Sequence, residues 1–304
     1  MFTKILFVIA LFVPAAICGA ESPPKILGIA QVTLYAHDLA ASRAFYQGYL
    51  GFPEIPADSN HYFVSDHQSI QLLPEKEAGD RFVSLSLQTD DAEGLRAVLA
   101  AEKVAVPDKI DNGSFSVTDP DNHVIQFLQL ASPLPTLPGA DLRISTRIPH
   151  AGIIVTNLDA SLHFYHDLLN LQETWRGANN PKTLSWVNLK VPDGKDYLEF
   201  MLFPKLPAEE NRRTPHHICL EVDDVAKTWE VLKTRTMPAN LKTPTPMKVG
   251  INGKRQINLY DPDGTRVEIM EPNTFSGRPV PPSTLPAPKT ELLYTPGTVP
   301  ATQK

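Results

Sequence analysis

Four residues able to ligate a divalent cation, His150, Glu199, His217 and Glu268, each sit in a short apolar run, at successive intervals of 49, 18 and 51 residues. Read as strands, these runs send the four side chains to the face opposite the aliphatics. In Pro149–Val155, His150 falls with Gly152 and Ile154, while Ala151, Ile153 and Val155 point the other way. In Tyr197–Met201, Glu199 opposes Leu198 and Phe200. In His217–Val222, His217 opposes Ile218, Leu220 and Val222, and in Arg266–Met270, Glu268 opposes Val267 and Ile269. Four such strands would pack one aliphatic face on helices and turn a polar-centred face into a cup. Two imidazoles and two carboxylates make a formally neutral site for one divalent ion, with two positions open in an octahedron. Nitrogen and oxygen donors without thiolate suit Ni, Fe, Mn, Co or Zn. Two adjacent oxygens of a small substrate could fill the open positions, and chelation would acidify the neighbouring C–H bond. A carboxylate able to leave the ion would then serve as base.

Strands that carry such ligands need a repeated unit to bring them together, and the chain contains one. DLAASRAFYQGYL (38–50) aligns with NLDASLHFYHDLL (157–169) at an offset of 119. Leu39/Leu158, Ala41/Ala160, Ser42/Ser161, Phe45/Phe164, Tyr46/Tyr165 and Leu50/Leu169 are identical. Asp119-Pro120-Asp121 answers Asp261-Pro262-Asp263, each before a β-branched strand. Most of these identities serve a common helix core and a common turn, so they establish shared construction rather than shared chemistry. In the first copy, Lys25–Ala36 reads as a strand, and Asp38 as the cap of a helix Leu39–Leu50 closed by Gly51. Strands His61–Ser65, Ser69–Leu73 and Arg81–Thr89 follow, then a helix Asp91–Glu102 and strands Ser114–Val117 and Val124–Leu128. Each half divides once more, which predicts an α+β fold of four βαβββ-like modules. The N-terminal domain is expected at 25–130 and the C-terminal domain at 147–272, joined by a Pro-rich linker at 131–146. Residues 273–304, rich in Pro, Thr and Lys without periodicity, read as a tail that is disordered or lies along the surface.

A chain of 304 residues, 42% hydrophobic, can build two domains with a core. Residues 1–20 do not belong to it. Lys4, the apolar run Ile5–Val13 and the small residues ending at Ala20 read as a secretory signal peptide, which predicts a secreted or periplasmic protein. Lipidation at Cys18 is the second reading, disfavoured by the bulk of Ile17. Neither this run nor any later one is long enough to span a bilayer. Without Lys4, 27 Lys and Arg face 34 Asp and Glu, a formal charge of -7. An acidic chain with no basic cluster argues against nucleic acid as a partner. Cys219 alone remains after cleavage, so no internal disulfide can form. A monomer or homodimer is expected.

The pattern His-x-x-Ile-x-Val-x-Asn-Leu from His150, followed by Phe164-Tyr165, together with HHICLEVDD (216–224) and DPDGTRVEI (261–269), resembles the vicinal oxygen chelate superfamily. That group includes glyoxalase I, methylmalonyl-CoA epimerase, extradiol dioxygenases and fosfomycin-resistance proteins. The resemblance covers roughly Lys25–Pro272 and implies two tandem domains with curved mixed sheets. It implies ligands on the first and last strands of each module: His150 and Glu199 in the third, His217 and Glu268 in the fourth, as in glyoxalase I. It further implies one divalent ion and a small-molecule substrate with vicinal oxygens. The implied activity is that of a lyase or isomerase with Glu268 as base and Glu199 as its counterpart across the site. The corresponding N-terminal positions are Gln31, Gln71, Ser84 and Gln126, which offer neither charge nor imidazole, so no transition metal is expected there. Ile154 stands where glyoxalase I enzymes commonly carry an arginine that helps hold glutathione, which argues against a glutathione adduct as substrate.

Two other functions compete. A non-haem iron dioxygenase of the extradiol type would use His150, His217 and Glu268, but the place often held there by tyrosine is Asn258, with Tyr260 two residues on. A non-catalytic small-ligand-binding protein would keep the cup without the chemistry. Of the remaining candidates, His216 points away from the His217 face and reads as a bystander, and His163 and His166 fall on the solvent side of a helix. Cys219 shares the cup face as wall or packing. Tyr197, Met201, Met270, Trp175 and Trp186 line the pocket or pack.

Overall fold

Parallel pairing of the first and last strand of each module decides which residues become neighbours. The computed structural model describes residues 24–55, 59–129 and 141–290, so the expected signal peptide, most of the linker and the end of the tail lie outside it. The N-terminal half contains β1 (Ile26–Ala36), β2 (His61–Phe63), β3 (Ser69–Pro74), β4 (Phe82–Thr89), β5 (Ser114–Thr118) and β6 (Val124–Leu128). They form one sheet ordered β2-β3-β1-β4-β6-β5. The C-terminal half contains β7 (His150–Val155), β8 (Gln172–Gly177), β9 (Trp186–Lys190), β10 (Tyr197–Leu202) and β11 (His217–Glu221). It continues with β12 (Lys248–Val249), β13 (Lys254–Tyr260) and β14 (Arg266–Thr274). The second sheet is ordered β12-β13-β14-β11-β7-β10-β9-β8. Within modules β1/β3, β4/β6, β7/β10 and β11/β14 are parallel; between modules β1/β4 and β7/β11 are antiparallel. A parallel return needs a crossover, and the module helix lies in it.

This is the α+β, two-domain architecture the sequence predicts, with one correction. In the described part of the N-terminal half only two strands follow each helix, and the third is reduced to the isolated bridges Glu54–Tyr62 and Asp111–Ser114. Helices α1 (Leu39–Arg43), α2 (Ala92–Ala101), α3 (Leu158–Leu162) and α4 (Val225–Lys233) each begin at a capping side chain: Asp38, Asp91, Asn157 and Asp224. Each cap accepts one or two backbone N–H bonds, a contribution of about 1 kcal/mol. The helix expected over Leu39–Leu50 is not uniform. α1 and α3 widen into π-helical turns, Ala44–Tyr49 and His163–Leu168, closed by bonds from Leu50 N to Phe45 O and from Leu169 N to Phe164 O. Through these turns both rings of each Phe-Tyr pair, Phe45-Tyr46 and Phe164-Tyr165, stay buried.

The aliphatic face read from alternation is the core: Ala151, Ile153, Val155, Leu198, Phe200, Ile218, Leu220, Val267 and Ile269 are all buried. The halves are also bonded to each other. The Gln68 amide donates to Ile148 O and accepts from Ile148 N, and Arg143 Nη1 donates to Val64 O. Residues 141–146, expected as linker, are therefore tied down where they are described; Ile144 N also bonds Leu50 O. The described part of the tail takes the second of its two expected courses. Strand β14 runs on to Thr274, and the chain beyond it lies along the second sheet, with bonds from Ser283 N to Arg176 O and from Leu184 N to Pro286 O. There Leu285 and Ala287 pack on the core. No helix among the described residues is long and apolar enough to cross a membrane.

Candidate metal centre

Strands β14, β11, β7 and β10 are contiguous at the centre of the second sheet, and each contributes one of the four expected ligands. Glu199 pairs in register with Gly152, and Gly152 with His217, so the ligands of both modules meet at one point of the sheet. Gly152 makes that meeting possible: a Cβ there would overlap the His217 ring. A glycine inside a strand is the one sequence signal for such a close approach.

The four side chains converge. His150 Nε2 lies 3.2 Å from His217 Nε2 and 3.2 Å from Glu268 Oε2, and His217 Nε2 lies 3.4 Å from Glu199 Oε2. The diagonals are longer: 4.0 Å from His150 Nε2 to Glu199 Oε2 and 3.9 Å from His217 Nε2 to Glu268 Oε2. With bonds of about 2.1 Å, neighbouring donors of an octahedron lie about 3.0 Å apart and opposite donors about 4.2 Å. The separations among the four donors all fall within that span, so the donor set fits one divalent ion. The protonation pattern fits too. His217 Nδ1 donates to Pro215 O at 2.8 Å, which leaves the Nε2 lone pair facing the centre. Burial, then the positive charge of Arg266, push His217 below its ordinary value and keep the ring neutral, while Glu199 opposes them. For Glu268, burial works upward but is outweighed by the His150 hydrogen bond and the Arg266 charge, which hold it well below the usual carboxylate range. Glu199 is lowered as well: burial raises it, and the two imidazoles that face it, His217 first and then His150, prevail. Two carboxylates kept ionised beside neutral imidazole make a cation site.

The outer contacts were less legible. Gln256 donates from Nε2 to Glu268 Oε1, so Glu268 keeps Oε2 for the centre. Its signal was available, because on β13 Gln256, Asn258 and Tyr260 alternate with Ile257 and Leu259. Tyr197 lays its ring on His150, with centroids 4.6 Å apart. Cys219 pairs with Glu268 and is fully buried; with His150 and Glu268 it forms a second possible donor group. Burial and then the charges of Glu268 and Glu199 push its thiol well up, so it stays protonated. The cup is lined by Trp175, Trp186, Glu199, Gln256, Asn258, Arg266 and Glu268, with Lys248, Gly250, Ile251 and Asn252 at one side. Trp175 and Trp186 are walls as expected, whereas Met201 borders a separate hollow beside Trp186, and Met270 is buried and accepts from Asn252.

His216 is not a bystander to the fold. It is buried, with Nδ1 3.0 Å from Asp80 Oδ1 and Nε2 3.1 Å from His123 Nε2, and so belongs to the interface between the halves. His163 and His166 are exposed. In the N-terminal half the amides of Gln31 and Gln71 bond each other, Nε2 to Oε1 at 2.9 Å, while Gln126 Oε1 accepts at 2.8 Å from Ser86 Oγ, two residues past the expected Ser84.

The chain is similar to an uncharacterised protein of Bacillus subtilis (strain 168), YwbC, at 30% identity over 135 residues, covering 42% of this chain and 99% of that one. Among solved structures it is similar to the 2,3-dioxygenase LapB from Pseudomonas sp. KL28, with TM-score 0.65 and 14% identity, covering 86% of this chain and 98% of that one. The Mn(II)-bound glyoxalase from Novosphingobium aromaticivorans superposes with TM-score 0.62 at 17% identity, covering 82% of this chain and 83% of that one. At these identities the solved structures establish the fold. A family model matches residues 28–127 and 147–269, both halves, and the chain belongs to the glyoxalase/bleomycin resistance protein/dioxygenase superfamily.

Proposed function

We propose that this protein is a metal-dependent lyase or isomerase of the glyoxalase type, acting on a small substrate through two vicinal oxygens. The observation that carries this reading is the fourth donor. Glu199 Oε2 stands 3.4 Å from His217 Nε2, in addition to the His150, His217 and Glu268 set that would serve a facial-triad oxygenase by itself. A divalent ion held there supplies Lewis-acid polarisation of the substrate oxygens. The protein supplies the base. The sequence reading gives that role first to Glu268, but the Gln256 amide on its Oε1 restrains it. Glu199 carries no amide donor among the described residues, so it is the carboxylate freer to take a proton, with Glu268 as anchor. Trp175 and Trp186 wall the cup and limit water around the transfer.

Exchange of carbon-bound hydrogen in hydroxyacetone and hydroxypyruvate for deuterium, followed by NMR in D₂O with metal-saturated protein, tests this. Glu199→Gln should lose about 100- to 10,000-fold in exchange rate, which added metal does not restore. Glu268→Gln should chiefly weaken metal retention. Exchange should proceed equally without oxygen; stoichiometric oxygen uptake on a catechol would assign the site to ring cleavage instead. We also infer export, from Lys4 and the apolar run Ile5–Val13. A mature N-terminus at Glu21 is expected, and a major cellular form that retains Met1 would reject it.

A further inference from the structure

Arg266 places a cation inside the cup whose carboxylate neighbours, Glu199 and Glu268, are both committed to the metal site proposed above, and we infer that it binds a carboxylate carried by the substrate, apart from the two oxygens that chelate. This rests on the chelating site proposed above. Arg266 lies two residues before Glu268 on β14, so alternation puts both on the cup face. Its side chain is 12% exposed, and Nη2 lies 2.7 Å and 2.8 Å from the two ring nitrogens of His217. A guanidinium only donates. His217 Nδ1 already donates to Pro215 O, and the Nε2 lone pair faces the other ligands, where a bound ion would take it. Arg266 is then left without an acceptor. Its Nε has no partner among the described residues, and the Glu199 oxygen, 3.9 Å away, is beyond hydrogen-bond reach and is itself a ligand. On the same cup, the indole N–H of Trp175 is a second buried donor with no partner among the described residues.

The charges point the same way. Glu199 and Glu268 are the only carboxylates among the lining residues, and together they neutralise a divalent ion. Arg266 and Lys248 remain as uncompensated positive charge on the cup. A buried charge left without a counter-ion is costly, whereas the two oxygens of a carboxylate match the guanidinium fork. The substrate class is therefore a small acid: two vicinal oxygens for the ion, a carboxylate for Arg266, and a flat or apolar body between Trp175 and Trp186. A purely structural Arg266, present only to position His217 or Glu199, would govern metal retention but not selectivity among ligands.

Catechol and 3,4-dihydroxybenzoate share the vicinal oxygens and differ by one carboxylate. Their binding to the zinc-loaded full chain, measured by titration calorimetry without oxygen, separates the cases. The carboxylate probe should bind wild type about tenfold tighter than catechol, a ratio that falls to within about twofold in Arg266→Gln and is partly kept in Arg266→Lys. Both variants should still hold zinc. If Arg266→Gln sheds it, the wild-type ratio and the Arg266→Lys ratio still decide. Equal binding of the two probes by wild type, or a preference that survives in Arg266→Gln, overturns the inference and leaves chelation standing. Failure of both probes to bind the zinc-loaded protein overturns the inference and the chelating site together.

Discussion

The phenol of Tyr46 donates a 3.0 Å hydrogen bond to Oδ2 of Asp261, a residue 215 positions along the chain in the other half. The reciprocal bond exists: Tyr165 donates to Asp119 Oδ2 at 2.8 Å. The tyrosine of each Phe-Tyr pair thus reaches the Asp-Pro-Asp turn of the opposite half. The second aspartates of those turns do the same, Asp263 accepting from His37 N and Asp121 from Thr156 N. The N-terminal half, without ligands of its own, is locked to the turn that precedes the Glu268 strand.

Removing one phenol leaves a buried acceptor short of its donor. Tyr46→Phe and Tyr165→Phe should each cost about 1–3 kcal/mol in urea unfolding, with metal content unchanged. Wild-type stability in both variants would show that the reciprocal bonds contribute nothing net.

Asp261 should make stability depend on pH. Burial pushes it from 3.8 up to about 6, against the pull of the Thr265 amide and the Tyr46 phenol. The fold favours its protonated form, so its contribution is complete below 3.8 and is lost as pH rises through about 6. That loss is on the order of 3 kcal/mol. Asp261→Asn keeps an oxygen for the amides of Asp263 and Thr265 and does not titrate. The variant should gain on wild type between pH 4 and pH 8 in denaturant titrations; a pH-independent difference rejects the assignment.

Gly152→Ala should damage the centre specifically. The new methyl overlaps the His217 ring, so the ring must move off its position. Stability should fall by about 1–3 kcal/mol, the cost of overpacking. Metal affinity should fall by about 10- to 100-fold or more, the scale of losses around metal ligands. The equivalent position 119 residues earlier is Thr33, where no ligand has to be accommodated. A Gly152→Ala protein that binds metal like wild type would defeat the geometry.

Metal loading should be one equivalent per chain and should stabilise the fold, because the ion relieves two ionised carboxylates and two imidazoles whose facing nitrogen and oxygen atoms lie 3.2–4.0 Å from one another. Free metal at 100 times its dissociation constant should add about 2.7 kcal/mol. Elemental analysis after desalting, paired with thermal unfolding with and without chelator, measures both. Two tightly held equivalents, or none after reconstitution, contradict the site.

Sequence by itself determined the repeat, the aliphatic core face and the four side chains that converge on the cup. Those features depend on local period-two alternation and on an internal offset, both carried by the chain in order. Tertiary structure decided what no single run encodes. The register of β13 against β14 brought Gln256 to Glu268, the β7/β11 junction gave Gly152 its role beneath His217, and the packing of the halves turned His216 toward His123 and Asp80. Alternation says which face a side chain takes but not which strand lies beside it. That choice belongs to strand pairing across distant segments, which is why Arg266 could be placed on the cup face from sequence, while its want of a counter-ion became visible only when the neighbours were in place.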